Sequence, residues 1–431
     1  MQFRHHLEKL SWTALDKLLF IVFGFITLLQ IRALNSPEEW GLASQLVTLQ
    51  TWIFIISDGS VLQSVIQYGV NEADRPKANL ISLILHCIIA LGLPLGVIIM
   101  QAPINMLFKE PRFAEVMWTL PIFCILTIPR SFCLKLMQRD LHMRDVFFTN
   151  LAWFGTMTVI SIWMMAHGTL SGYNDMKFIS LVGISVSSMV ALVLSRKQLV
   201  FGWGGAVEFA SIVRFALPQA IFVSLNNIIR QLDIFIVQIY FGLPASGVYN
   251  SAKMLYRVFE TASDAGTSLM YPTAVKLFAQ QRHDYVITIF SKAISFILLP
   301  TIVAVVVLEL GFTNFIVQFL GSKFVTAAQQ FNVMILGAVF LPFFILQSVE
   351  LAQHNVLKLL RHVTISVATG LLVYYILGKL QLKEYFPLGI VAYSLMFAVL
   401  LVQSVRSELH FPYSDLFRSI PDALSFFRKK E

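Results

Sequence analysis

Twelve separate apolar runs constrain this chain more than any other feature. They lie at about 12–34, 43–66, 79–100, 115–137, 146–167, 177–195, 211–240, 246–270, 286–309, 326–350, 356–378 and 385–407. At 1.5 Å per residue each can cross about 30 Å of hydrocarbon as a helix, some only with tilt. Backbone in lipid must satisfy its own hydrogen bonds, and runs of this length do so as helices rather than as barrel strands. Only 13% of the residues are charged, against about 25% in a soluble domain. The expected class is therefore all-α: a polytopic membrane protein of about twelve transmembrane helices.

Lysine and arginine set the orientation. With both termini placed inside, 21 of the 32 fall in inner segments, seven in outer segments, and Arg130, Arg230, Lys253 and Arg257 within spans. That bias puts both termini in the cytoplasm, and it accounts for the net charge of +8 without a nucleic-acid partner. No cleavable signal is expected, because Met1 to Lys9 is polar and basic and the first run stays long enough to span. Cys87, Cys124 and Cys133 lie in apolar runs with no paired spacing and read as core residues.

The chain carries an internal repeat. A shift of 206 brings Gly41 onto Gly247, Ser57-Asp58 onto Ser263-Asp264 and Pro94 onto Pro300. A shift of 211 brings FKEPRF, from Phe108 to Phe113, onto FLGSKF, from Phe319 to Phe324. Six spans per copy is an even number, so both copies enter from the same side and form parallel repeats around a central cavity. The reading is an N-terminal six-helix lobe at 1–195, a cytoplasmic linker at 196–210, a C-terminal six-helix lobe at 211–407 and a cytoplasmic amphipathic tail at 408–431. The tail alternates Leu416, Phe417, Ile420, Leu424, Phe426 and Phe427 with charges, which suits the inner membrane surface.

Polar residues inside the runs are the candidate chemistry, because a charge at mid-bilayer costs roughly 2.5–3.5 kcal/mol and must face protein or water. Lys253, Arg257, Glu260 and Asp264 recur at i, i+4, i+7 and i+11, one narrow face of a helix. In the preceding run Gln219, Asn226, Arg230 and Asp233 form a matching stripe. The bland alternative is internal neutralisation, through Arg230 with Asp233 and Arg257 with Glu260, both i, i+3 pairs. Arg130 follows Pro129 and meets Leu341 in the repeat, so the architecture does not require it. Asp58 and Asp264 are matched, which favours an architectural role over ion binding. Asp16 lies at the cytoplasmic start of the first run, where it is solvated or, on a helix tucked inward, carries a proton. Prolines 94, 121, 218, 300 and 342 lie in or beside spans, as in helices that bend. The histidines show no metal spacing. No phosphate loop, HExxH, CxxC or nucleophile elbow is present, so no cofactor, metal or catalytic residue is expected and the chain reads as a non-enzyme.

Four stretches, IRALNSPEEWGLASQLVTLQTWIFIISDGSVLQSVI, VRFALPQAIFVSLNNIIRQLDIFIVQIYFG, ASGVYNSAKMLYRVFE and FLGSKFVTAAQQFNVMILG, carry a family resemblance. The chain resembles the multidrug, oligosaccharidyl-lipid and polysaccharide flippase superfamily, and within it the O-antigen and exopolysaccharide repeat-unit flippases. The resemblance covers nearly the whole chain. It implies transport of a polyprenyl-pyrophosphate-linked oligosaccharide across the bacterial inner membrane by alternating access, for lipopolysaccharide, exopolysaccharide or capsule synthesis. It implies membrane lipid, a polysaccharide polymerase and glycosyltransferases as partners, and a monomer. Arg130, Arg230, Lys253 and Arg257, with Asn226, match the family's cationic cavity by type and depth. Glu260, Asp233, Asp264, Asp58 and Asp16 are the candidates for ion coupling or gating. The acids beside the cations depart from a strongly positive cavity. Two rivals remain: an ion-coupled multidrug antiporter of the same fold, and a non-transporting scaffold whose charged stripes are structural ion pairs.

Overall fold

Each apolar run becomes helical, and the helix ends show how the sequence sets the boundaries. Ser36 is extended (φ −149°, ψ 160°) ahead of Pro37, with Glu38 and Glu39 in the first turn. Proline's fixed φ and the acidic side chains both favour a helix start. Before Tyr173, the Asp175 carboxylate accepts the backbone N–H groups of Ser171 and Gly172, at 2.8 and 3.0 Å, and closes the free donors of that helix end.

The structure is a computed structural model and describes residues 2–69, 71–281, 283–312, 319–353 and 355–409. The tail at 411–431 lies outside the described residues. In chain order the helices are α1 (Gln2–Ala33), α2 (Pro37–Gly59), α3 (Gln63–Tyr68), α4 (Arg75–Ile99), α5 (Gln101–Phe108), α6 (Phe113–Arg139), α7 (Met143–Ala166), α8 (Tyr173–Ser195), α9 (Phe209–Asn227), α10 (Asp233–Phe241), α11 (Leu243–Ala279), α12 (His283–Val307), α13 (Val325–Ala338), α14 (Gln347–Ala352), α15 (Val356–Lys379) and α16 (Leu388–Leu409). Between α9 and α10 the chain makes a π-turn, Ile228–Leu232, and between α13 and α14 a 3-10 segment, Leu341–Leu346. Among the described residues, nine helices are long and apolar enough to span a membrane, ten with the α13–α14 pair, which is bent by 42°. The first and eighth expected spans fall on α1 and α11, outside that count; α11 carries the four-charge stripe in its middle. The matched segments Phe108–Phe113 and Phe319–Phe324 each lead directly into a spanning helix, α6 and α13.

By packing, the chain falls into two units: 1–227 with 231–247, and 228–230 with 248–431. The seventh span thus packs mostly with the first six, one helix beyond the linker at 196–210 that the repeat suggested as the boundary. Packing and repeat are different divisions of the same chain.

In the first unit, α7 lies between α1 and α8, and α6 packs on α8, α4 and α2. Leu62, Val65, Phe132 and Leu136 form one fully buried cluster. Large apolar side chains such as Ile88, Trp118, Ile122, Val159 and Trp163 point outward, each more than half exposed. That pattern belongs to a protein whose solvent is lipid, since a soluble surface of this size rarely carries so much apolar area. Gly41 and Gly247, matched by the repeat, meet here. A Cβ on Gly41 would lie 2.9 Å from the Leu243 carbonyl oxygen, and one on Gly247 would collide with the Pro37 carbonyl. The linker is laced to the start of α4. Asp74 Oδ1 accepts the N–H groups of Ala206 (2.6 Å) and Val207 (3.2 Å), Lys77 donates to the Gly205 carbonyl, and the Asn79 amide donates to the Val200 carbonyl.

In the second unit α15 packs along α16, and α16 on α13. Tyr374 stacks on Phe386 at 4.6 Å and shares a 3.0 Å hydrogen bond with the Tyr249 hydroxyl.

Candidate functional site

Each unit contains its own set of polar groups at membrane depth, and the sequence candidates divide between them. In the first unit, Arg130 projects from α6 just beyond Pro129. Its Nε donates to Ser187 Oγ on α8 (3.0 Å) and its Nη2 to Asn150 Oδ1 on α7 (2.5 Å). Asn150 in turn donates to Asp16 Oδ1 on α1 at 2.6 Å. The guanidinium also lies 4.2 Å over the Trp153 ring, a contact worth about 2 kcal/mol when desolvated. Arg130 therefore ties four helices together, and the carboxylate nearest in the chain of bonds, Asp16, reaches it through an amide.

One and a half turns along α6, the ammonium of Lys135 lies 3.0 Å from Asp58 Oδ2. The lysine side chain is 5% exposed and the aspartate 51%. Lys135 sits at the edge of its apolar run, and its aliphatic stem carries it into the packed interior. Beside it Ser57 Oγ bonds His86 Nδ1 (2.5 Å), and His86 Nε2 bonds Ser131 Oγ (2.8 Å). His86 is fully buried with both ring nitrogens occupied by hydroxyls. Beyond the end of α6, Asp140 accepts two hydrogen bonds from Arg139, at 2.9 and 3.0 Å. Burial alone would raise the Asp140 carboxyl; Arg139, together with Arg75 and His142, outweighs it and holds the group below the usual carboxylate range.

In the second unit the π-turn decides the geometry. A π-turn holds one residue more than an α-turn, so it rotates the side chains that follow and frees backbone carbonyls. Arg230 lies inside it. Its Nε donates to Glu260 Oε1 (3.0 Å), and its two terminal nitrogens donate to Asp264 at 2.7 and 3.2 Å. Lys253 is 1% exposed and its ammonium lies 3.5 Å from the Ile229 carbonyl, also in the π-turn. Glu260 is 6% exposed. Arg257, one turn on from Lys253, is half-buried on the same helix.

The continuous stripe expected from Gln219 to Asp233 is thus broken. Arg230 packs in the second unit and Asp233 in the first. Asp233 opens α10, is fully buried and accepts the N–H of Ile234 at 2.9 Å. Arg230 turns to α11 for its carboxylates where regular spacing had pointed to Asp233. Asn226 stays on α9, half-buried. The described structure brings Arg230, Lys253, Glu260 and Asp264 together around the π-turn, joins Asp16 to Arg130, and joins Asp58 to Lys135. Asn150, Ser187, Lys135 and His86 were not read as site residues. A histidine and an asparagine inside apolar runs were the available signal. Among the described residues no three His, Cys, Asp or Glu are placed to hold a metal ion.

The charges differ between the sets. Asp16 and Asp58 match Arg130 and Lys135 in number, whereas in the second unit Arg230 alone holds both Glu260 and Asp264, with Lys253 and Arg257 on the same helix as those acids. Three cations gathered on and beside one π-turn supply the donors that an anionic group takes.

A family model described as polysaccharide biosynthesis protein matches residues 32–329, more than half of the chain. The chain belongs to this family. No curated protein matches it. Among solved structures, it is similar to a lipid II flippase, MurJ, in an inward closed conformation: 13% identity over 95% of this chain and 91% of that one, with a TM-score of 0.71. It is also similar to an inward-facing multidrug resistance MATE transporter of the MOP superfamily, at 12% identity over 92% and 95% of the two chains and a TM-score of 0.69. A Vibrio cholerae MATE transporter matches at 12% identity over 95% and 99%, with a TM-score of 0.62. This polysaccharide biosynthesis family member therefore has the fold seen in the lipid II flippase and multidrug transporter structures.

Proposed function

We propose that the chain flips a polyprenyl-pyrophosphate-linked oligosaccharide repeat unit from the cytoplasmic to the outer leaflet of a bacterial inner membrane by alternating access. The product supplies O-antigen, lipopolysaccharide, exopolysaccharide or capsule assembly, alongside a polymerase and glycosyltransferases. The observation that carries this reading is the gathering of Arg230, Lys253 and Arg257 at the π-turn and on α11, in a member of a polysaccharide biosynthesis family. A pyrophosphate takes charge-assisted hydrogen bonds that are strong in a partly desolvated site, and a guanidinium presents them as a planar fork.

Arg257 is the principal substrate residue on this reading, with Lys253 beside it. Arg230 has its fork filled by Glu260 and Asp264 and acts as their anchor until substrate or a proton displaces them. Asn226 and Arg130, in the first unit, are the further candidates for substrate contact. Glu260, Asp264, Asp233, Asp58 and Asp16 are the groups through which an ion would couple or gate the cycle. Both termini are cytoplasmic and the transporter acts as a monomer without catalysing a covalent reaction. The 4.2 Å Arg130–Trp153 stack and the paired acids argue against an acidic, aromatic cavity for cationic drugs.

Deletion of the gene followed by analysis of lipid-linked glycans tests the proposal. Repeat units on the lipid carrier are expected to accumulate on the cytoplasmic side. Their absence would sink the flippase reading. Exchanging Lys253→Glu with Glu260→Lys separates substrate binding from internal pairing. Restored export in the double swap would make the stripe structural and favour the scaffold reading.

A further inference from the structure

We propose that Glu350 is a proton-binding carboxyl that acts on the far arm of the broken α13–α14 span. The assignment stands apart from the flippase reading, because it concerns a group neither the charge stripes nor the repeat pointed to.

Glu350 lies on α14 and is fully buried. Its Oε1 accepts the Ser404 hydroxyl from α16, while its Oε2 is buried without a hydrogen-bond partner among the described residues. Among the described residues the ammonium at hand is Lys358, on the first turn of α15. Its Nζ lies 3.8 Å from Glu350 Oε1 but 2.5 Å from Glu408 Oε1 on α16. Asn355 also donates to Glu408, at 3.1 Å. One lysine thus stands between two carboxylates and is committed to the second. A buried carboxylate with an empty oxygen and a distant cation is costly, and like charges sharing one site cannot both stay ionised cheaply. The site relieves this by taking up one proton.

The surrounding elements bring few other charges. The 3-10 segment Leu341–Leu346 carries none, and α11 touches α14 where Ser348 donates to the Thr267 carbonyl at 3.3 Å, with Asp264 and Tyr271 a turn away on either side. From α15 come Lys358, Arg361 and His362; from α16 come Arg406 and Glu408. Arg361 and Arg406 are exposed. His362 is buried near Lys358 and Glu408, with Nδ1 unpartnered among the described residues. It is a second buried polar group beside the same cluster.

The consequence is mechanical. With the proton on, Glu350 remains seated between Ser404 and α15. With the proton off, it competes with Glu408 for Lys358 or leaves the pocket, and α14 moves relative to the 42° break.

The test is difference infrared spectroscopy of the full chain in lipid nanodiscs across a pH series, following the C=O stretch of protonated carboxyls. The wild type is expected to show a titrating band that Glu350→Gln removes. Glu408→Gln leaves Lys358 to Glu350 alone and moves the midpoint down by about one pH unit, while Lys358→Met moves it up. These two variants test the assignment even where Glu350→Gln does not fold. A band that persists in Glu350→Gln, midpoints unmoved by the neighbouring variants, or a band removed by sodium at constant pH would each overturn the proposal.

Discussion

The pairs Ser57-Asp58 and Ser263-Asp264 hold matching places in the two halves, yet their surroundings have diverged. Ser57 bonds a histidine, which bonds Ser131 beside Arg130. Ser263 instead donates to the Leu341 carbonyl at 2.6 Å, at the repeat position of Arg130. On the first side α6 stays helical through Pro129, and on the second the span breaks before Pro342. The acids differ in the same sense. Asp58 reaches a buried lysine within a balanced set. Asp264 shares Arg230 with Glu260, in a set that also holds Lys253 and Arg257 on the same helix. The same local motif thus serves as a neutral brace in one half and as part of a charged seam in the other.

That contrast can be broken by changing which partner is left buried. Arg230→Met strands Glu260 in the interior and is expected to cost about 3–5 kcal/mol of stability, with most of it recovered when Glu260→Gln is added. Thermal unfolding of the purified protein measures both. In the first half the burial is reversed, so Asp58→Asn, which strands Lys135, should cost about 2–4 kcal/mol and Lys135→Met about 1 kcal/mol or less. Equal losses from these two would remove the difference between the halves. Asp264→Asn, on a half-exposed acid with Glu260 still in place, should cost below about 1 kcal/mol. Arg257→Ala should abolish export at normal membrane levels; unchanged export would remove Arg257 from the site. The smallest effect concerns pH. Asp140 is held low in the folded state, so its stabilisation is present above the unfolded value, about pH 4, and is lost as pH falls through the lower folded value. Asp140→Asn should flatten that acid limb in a pH series of unfolding midpoints.

The spans were legible because twelve apolar runs leave the backbone no other way to cross lipid. The stripe on α11 was legible because the helix is regular from Leu243 to Ala279. The π-turn was not, since no residue in Ile228–Leu232 marks an extra residue per turn, and a regular spacing rule carried across it paired Arg230 with the wrong acid. Lys135 and Asp58 are 77 positions apart and meet only through the packing of α2 on α6. Glu350 was hidden for a related reason: its partners on α15 and α16 are brought to it by the fold, and no periodicity links them.

The π-turn has a further meaning for how such a span can change over generations. A deletion within a membrane helix ordinarily shifts every residue beyond it by about 100° and destroys the packing on one side. The seventh span already carries the surplus residue, at Ile228–Leu232. Losing one residue there would restore an unbroken α-helix at no cost in hydrogen bonds. It would also withdraw Arg230 from Glu260 and Asp264 and close off the carbonyl that Lys253 reaches. A single-codon change would then convert the charged seam into a differently aimed surface in one step, a route to new specificity that no substitution at an individual side chain provides.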